Sequence, residues 1–135
     1  MIDIVARLSS MLAQTEESAK EKFDLTGLTI TQLNYLETIS ILDNPNLTEL
    51  ASTLKLSKPT VKVAIDKLVE RDYVFRVQSD EDRRSAHLHL TERGKQINKI
   101  HDLAHKSIAD SICLKLNKEE QQLLVELLNK VLTLN

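Results

Sequence analysis

The chain has 135 residues, of which 41% are apolar and 28% are charged, so it is long enough for one domain with a hydrophobic core and too short for two. Its net charge of −2 is not that of a uniformly basic nucleic-acid binder. The sequence has no run of about 18 apolar residues and no signal-peptide pattern at the N-terminus, so we expect a cytoplasmic protein with no membrane partner.

Two helices are predicted in the first third of the chain. From Ile2 to about Phe23 apolar residues recur every three or four positions, which is the period of an amphipathic helix. After a break, Thr29 and Gln32 have the spacing of a capping box and begin a second helix. That helix ends near Pro45, which cannot continue it.

A pair of helices joined by a three-residue turn follows. Asn46 and Glu49 have capping-box spacing at the start of the first helix. Ser57 is a good N-cap and Pro59 suits the first turn of the second helix, which runs to about Arg71. This pattern is typical of a helix-turn-helix, although an ordinary pair of packed helices would also produce it.

The second helix of this pair has two different faces. Its predicted buried stripe is Val61, Ala64, Ile65 and Leu68. Lysines dominate the other face, and we expect the first and last of them to contact phosphate. Two apolar residues on that face, at positions 59 and 63, either touch thymine methyl groups or are ordinary surface residues. The predicted DNA-facing residues are Lys58, Pro59, Thr60, Lys62, Val63 and Lys67.

Positive charge is concentrated in the middle of the chain. Residues 1–54 contain 3 Lys or Arg and 8 Asp or Glu, whereas residues 55–95 contain 10 and 7. The excess therefore begins with the candidate recognition helix, as a local contact with phosphates requires.

A β-hairpin is predicted after this helix. Residues 73–77 are rich in β-branched and aromatic side chains, and residues 86–90 alternate strictly between apolar and other side chains. The polar segment 78–85 between them forms a projecting loop. A lone hairpin is marginally stable, so it should rest on the helices through Val74 or Phe75 and through the leucines of the second strand.

Two further helices complete the chain. Thr91 is the N-cap of one that reaches about Leu114, and Asn117 begins the last. The first and last helices carry more apolar surface than one domain can cover, which predicts a homodimer, although packing as an intramolecular bundle is the alternative. The lone Cys113 is expected to be a small buried residue. We expect a single domain, 1–135, with a DNA-binding lobe at 29–91 and a helical dimerisation region at 1–28 and 92–135.

The sequence resembles the MarR (multiple antibiotic resistance regulator) family. The resemblance rests on Leu50-Ala51, on SKPTVKVAIDKLVERDYV from Ser57 and on DEDRR from Asp80 followed by LHLTERG from Leu88. It implies a mainly α winged helix-turn-helix fold with a two-stranded β wing. It also implies a sequence-specific repressor that binds a palindromic operator in double-stranded DNA as a homodimer and is released by a small-molecule effector.

The resemblance also assigns roles in the wing. It implies that Arg84 enters the minor groove, with Arg83 beside it, and that Asp82 positions the wing by pairing with an arginine. An arginine on a projecting ribbon suits the negative potential of a narrow minor groove. Asp72 stands where the family often has glycine, and aspartate tolerates the left-handed conformation.

The sequence offers weaker support for three other functions. With two glycines and no catalytic motif, the chain offers an enzyme neither a phosphate loop nor a nucleophile, and we expect no cofactor. A winged helix that binds only protein is a second alternative. The third is zinc regulation: His101 and His105 have the spacing of the histidine pair in a zinc-sensing branch of the family, which adds a glutamate that Glu16 matches. That branch has a histidine where Asn34 stands, and asparagine is a poor zinc ligand. The alternative is that both histidines are ordinary polar residues on a partly exposed helix face near the dimer interface.

Overall fold

The computed structural model describes residues 1–25, 27–81 and 85–133. Within these ranges the chain forms six helices and one two-stranded antiparallel sheet, so the predicted mainly α winged fold is confirmed. None of these helices combines the length and apolar character needed to span a lipid bilayer. In chain order the elements are α1 (Ile2–Lys22), α2 (Ile30–Leu42), α3 (Leu47–Leu54), α4 (Lys58–Glu70), β1 (Val74–Gln78), β2 (Ala86–Leu90), α5 (Glu92–Cys113) and α6 (Lys118–Leu132).

Local capping sets most of the helix boundaries. Helices α2, α3 and α6 begin at the predicted capping boxes, in which the N-cap and N3 side chains each accept a hydrogen bond from the other residue's backbone N–H. Helix α4 begins at Ser57, with Pro59 in its first turn. Helices α2 and α3 end at left-handed residues, Asp43 with φ of 54° and Lys55 with φ of 55°.

The described residues form two compact units. One is Lys20–Asp102, and the other is Met1–Ala19 with the chain from Leu103 onward. The core of the first unit joins α2, α3, α4 and the hairpin, and its buried side chains exclude water almost completely. They include Leu33, Leu36, Ile39, Leu50, Val61, Ile65, Leu68, Val74 and Leu88. Because one stripe of α4 belongs to this core, its opposite face is directed to solvent.

Strands β1 and β2, which we call the wing, pair in antiparallel register with Arg76 opposite Leu88. Val74 is buried whereas Phe75, on the other face of the pleat, is exposed, so Val74 makes the packing contact that the sequence left open. The N–H of Leu88 donates to the carbonyl of Pro45 at 2.8 Å. This bond attaches the wing to the connection between α2 and α3.

The start of α5 is fastened to the turn that follows α4. The hydroxyl of Thr91 accepts from the N–H of Gly94 at 3.0 Å and donates to the carbonyl of Asp72 at 2.6 Å. Asp72 is left-handed, with φ of 62°, as expected for a position where glycine is common. Gly94 packs against Tyr73 so closely that an added Cβ would overlap the Tyr73 carbonyl. These contacts explain the spacing of threonine and glycine in this motif.

The second unit exposes long apolar stripes. Throughout α6, which lies entirely within the described residues, no side chain is buried. The apolar residues recur at the spacing of one helix face in both α1 and α6. Those exposed include Ile4, Val5, Leu8, Met11, Leu12, Leu123, Leu127, Leu128 and Val131.

Cys113 corrects one expectation from the sequence. The prediction that it is a small buried residue is wrong, because its side chain is exposed at the end of α5. The half-buried stripe of this helix passes instead through Ile108 and Ile112. Position 113 lies beside that stripe, not within it.

Candidate nucleic-acid interface

Helices α3 and α4 form the predicted helix-turn-helix. Helix α3 ends where the N–H of Leu56 donates to the carbonyl of Ala51 at 3.0 Å and Lys55 adopts its left-handed conformation. The hydroxyl of Ser57 then accepts from the N–H of Thr60 at 3.4 Å. The turn between α3 and α4 therefore takes three residues, and the first residues of α4 are exposed.

The face of α4 opposite the core carries the residues predicted to contact DNA. All of them are exposed, and the lysines distribute positive charge from the first turn to the last. This exposed set is Lys58, Pro59, Thr60, Lys62, Val63 and Lys67.

A cleft of about 580 Å³ lies between α4, the wing and the N-terminus of α3. Its charged lining is Lys58, Lys62, Asp66 and Arg76. Three cations against one carboxylate make the cleft net positive, which suits a polyanionic backbone.

Asp66 is the centre of the ion pairs in this cleft. Lys62 Nζ donates to one carboxylate oxygen at 2.8 Å, and Arg76 Nη2 donates to the other at 2.5 Å. The hydrogen bond from Lys62, followed by that from Arg76, lowers the pKa of the Asp66 carboxyl below its usual value. Because this side chain remains 44% exposed, solvent screens the ion pairs, so they orient the cations more than they stabilise the fold.

Asp66 and Arg76 are candidate site residues that sequence reasoning missed. The i, i+4 spacing of Lys62 and Asp66 was a local signal for one of the two pairs. The other pair depends on the register of the wing, which places Arg76 opposite Leu88 on the face turned toward α4. A strand pattern alone does not provide that register.

The predicted wing contacts Arg83 and Arg84, and the wing-positioning Asp82, lie outside the described residues. Among the described residues of this loop, the N–H of Ser79 donates to the carbonyl of Ser85 at 2.9 Å. The roles of these three residues stay predictions.

Tyr73 anchors the far end of α4. The guanidinium groups of Arg93 and Arg71 lie 4.5 Å and 5.3 Å from the centre of its ring. Arg93 also donates to the Tyr73 hydroxyl at 3.2 Å and to the Arg71 carbonyl at 3.1 Å. Arg71 in turn donates to the carbonyl of Gly27 at 2.7 Å. The network ties the C-terminus of α4 to the start of α5 and to the segment before α2.

The residues considered for zinc lie on α1, α2 and α5. Glu16 is half-buried, Asn34 and His105 are exposed, and His101 is buried with 5% of its surface accessible. Within the Lys20–Asp102 unit, a carboxylate oxygen of Glu37 lies within 4.8 Å of a ring nitrogen of His101. Sequence reasoning missed Glu37 because it is distant in the chain and has no spacing relation to His101.

Comparisons with known proteins agree with this geometry. The MarR family sequence pattern matches residues 28–86. The transcriptional regulator SarZ of Staphylococcus epidermidis is 31% identical over 109 residues, which cover 81% of this chain and 72% of SarZ. Its name describes a regulator and not an enzyme, in line with the sequence-based expectation.

Two solved structures share the fold. FabT of Streptococcus pneumoniae in complex with DNA has a TM-score of 0.84 at 24% identity, covering 98% of this chain and 94% of FabT. A mutant form of MarR from E. coli complexed with operator DNA has a TM-score of 0.73 at 26% identity, covering 97% of this chain and 95% of that one. This chain therefore belongs to the MarR family of winged-helix transcriptional regulators.

Proposed function

We propose that this chain is a cytoplasmic repressor that binds a palindromic operator as a homodimer and is released by a small-molecule effector. The observation that carries DNA binding is the exposed cationic face of α4 beside the net positive cleft. A helix of 13 residues is about 20 Å long and its diameter of about 10–12 Å matches the width of the major groove. Residues 29–91 are the proposed DNA-binding lobe.

The proposed contacts divide into two sets. The exposed residues of α4 enter the major groove, with Lys58 and Lys67 on phosphates, while Arg84 and Arg83 reach the minor groove. The solved complex of MarR with operator DNA supports this use of the fold. Release by an effector is expected from the family resemblance.

The homodimer is supported by the second unit. The exposed apolar stripes of α1 and α6 would cost free energy in water at about 25 cal/mol per Å², so covering them is favourable. A second copy presents the same stripes and closes the interface by two-fold symmetry. Residues 1–28 and 92–135 are therefore the proposed dimerisation region.

Fluorescence anisotropy with a labelled random duplex at low salt tests the proposal. Binding should weaken steeply as salt rises, and Lys58→Ala should weaken it about threefold to tenfold. Lys130→Ala, which removes an exposed lysine from α6, is the matched control and should bind like the wild type. Binding that is absent at low salt would overturn the proposal and leave a protein-binding winged helix.

Zinc regulation is the second candidate function. It rests on the i, i+4 spacing of His101 and His105 in the sequence and on the approach of Glu37 to His101. Isothermal titration with zinc should then show binding at micromolar affinity or better, and zinc should tighten operator binding. The double variant His101→Ala, His105→Ala should lose both effects. An operator affinity that is the same in zinc and in chelator would remove this candidate.

A further inference from the structure

We infer that Val63 is a specificity-determining residue that contacts the 5-methyl group of a thymine, so that each operator half-site carries thymine where this side chain meets the bases. The inference rests on the proposed function, in which α4 enters the major groove. The thymine methyl group would then be the base-edge group that α4 recognises.

Val63 is the most exposed large apolar residue of α4. Its accessible fraction is 56%, and it lies on the opposite side of the helix from Val61 and Ile65, which are fully buried. Its branched Cβ restricts χ1, so the two methyl groups are held in a nearly fixed direction. Such a side chain can make apolar contacts in a DNA groove but no hydrogen bond.

The neighbours of Val63 extend this apolar surface. Pro59 lies one turn earlier on the same side of the helix and is exposed. The hydroxyl of Thr60 lies 2.8 Å from the hydroxyl of Ser57, so the polar group of this exposed residue is already engaged at the helix cap. Pro59 and Val63 thus place two apolar side chains on the exposed face of α4 that also carries the lysines.

The polar groups that usually read bases are missing from this helix or are already engaged. Helix α4, which the structure describes throughout, contains no arginine, asparagine or glutamine for bidentate contacts to guanine or adenine. Lysine can also contact guanine, but Lys58 and Lys67 are the proposed phosphate contacts and Lys62 is paired with Asp66. Asp66, which could accept from cytosine, is bonded to Lys62 and Arg76. Glu70 is in the last turn, whereas recognition helices contact bases mainly through their N-terminal residues. The thymine methyl is the base-edge group that the remaining side chains match.

Replacing single thymines by deoxyuridine tests the inference. A duplex is first selected from a random library with the wild-type protein, and each thymine is then exchanged in turn. Deoxyuridine lacks only the methyl group and keeps the same hydrogen-bonding atoms. At one position in each half-site we expect affinity to fall about threefold to fivefold, which is the effect of one buried methyl group.

Variants at position 63 identify the side chain that makes the contact. Val63→Ala removes the contact from both half-sites of the proposed dimer, so it should weaken binding to the thymine duplex by about the square of that factor, roughly tenfold to 25-fold. It should show no further loss with deoxyuridine at the sensitive position. Val63→Thr keeps one methyl group, so its affinity for the thymine duplex should lie between those of Val63→Ala and the wild type. Lys67→Ala is the control, because loss of a phosphate contact should weaken the thymine and deoxyuridine duplexes alike.

Three results would overturn the inference while leaving DNA binding intact. They are a selected half-site without thymine, deoxyuridine that is tolerated at every position, and a deoxyuridine effect of undiminished size in Val63→Ala. Failure of the proposed function would be a separate result, in which the wild-type protein binds neither random nor selected duplex.

Discussion

Asp66 of α4 and Arg76 of β1 form an ion pair at 2.5 Å that links the recognition helix to the wing. Lys62 shares the same carboxylate, so two of the cations that line the cleft are held by one anion. The link directs both cations into the cleft before any DNA arrives.

Asp66→Asn should therefore strengthen binding to DNA of any sequence. Loss of the negative charge makes Lys62 and Arg76 available to bind any phosphate, so affinity for random duplex should rise. The plot of log affinity against log salt concentration should become steeper by roughly one unit. Fluorescence anisotropy over a series of salt concentrations measures both the affinity and the slope. Asp110→Asn, which breaks the i, i+4 pair with Lys106 on α5, is the matched control and should leave the slope unchanged. Equal slopes for Asp66→Asn and the wild type would contradict the prediction.

The lowered pKa of Asp66 determines the pH range over which this link persists. Because the folded-state pKa lies below the ordinary value of 3.8, the pair contributes above that value and is lost only as the pH falls through the lowered pKa. The difference in DNA affinity between wild type and Asp66→Asn should thus be constant between about pH 5 and 8. A carboxyl carbon NMR titration should place the midpoint of Asp66 below the ordinary value of an aspartate, and a midpoint at or above that value would refute the assignment.

Gly94→Ala should destabilise the Lys20–Asp102 unit. The new Cβ would overlap the backbone carbonyl of Tyr73, which cannot move without breaking its bond from the N–H of Thr91, so we expect a loss of about 2 kcal/mol or more in urea unfolding. Gly27→Ala is the control. Its Cβ would lie 3.6 Å from the nearest atom, in the Arg71 side chain, and stability should change by less than about 0.5 kcal/mol. Similar losses in the two variants would show that crowding at Tyr73 is not the cause.

Arg93→Ala should lower stability by about 1–2 kcal/mol, because it removes two hydrogen bonds and the cation over the Tyr73 ring. Tyr73→Phe keeps the ring and should cost less. Lys95→Ala removes an exposed cation paired with Glu92, and it should change the free energy of unfolding by less than about 0.5 kcal/mol. Thermal unfolding measures the stability of the three variants. A loss of stability in Arg93→Ala as small as that in Lys95→Ala would argue against the network.

A charge placed in an apolar stripe should separate the proposed dimer. Leu8→Asp or Leu127→Asp should shift sedimentation toward monomer and weaken operator binding, because both half-sites would no longer be bound together. Ile41→Asp is the control, since Ile41 is an exposed apolar residue of α2, in the other unit. A wild-type protein that sediments as a monomer at micromolar concentration would remove the dimer from the proposal.

Most of the helix boundaries were predictable because they depend on local chemistry. The caps at Thr29, Asn46 and Ser57 need only a side chain and an N–H three residues on, and these occur in the sequence itself. The left-handed Asp72 was expected from the family resemblance, because it stands where the family often has glycine.

Contacts that depend on register or tertiary packing were not predictable. Choosing Val74 over Phe75 requires knowing which face of the hairpin turns toward α4, and the same knowledge locates Arg76 beside Asp66. Glu37 near His101 and the exposed Cys113 depend on how α2 and α5 are rotated. A hydrophobic pattern defines that rotation only to within about one residue.

The bond from Leu88 to Pro45 also bears on self-association of the folded protein. A two-stranded sheet has two unpaired edges, and either can add a strand from another molecule. The segment Pro45–Asn46 pairs with β2 at His87 and Leu88, so the middle of that edge is already occupied. Proline accepts a bond but has no N–H to donate, so the ladder cannot extend further along this segment. Strand exchange and aggregation are therefore blocked along the middle of this edge of the wing.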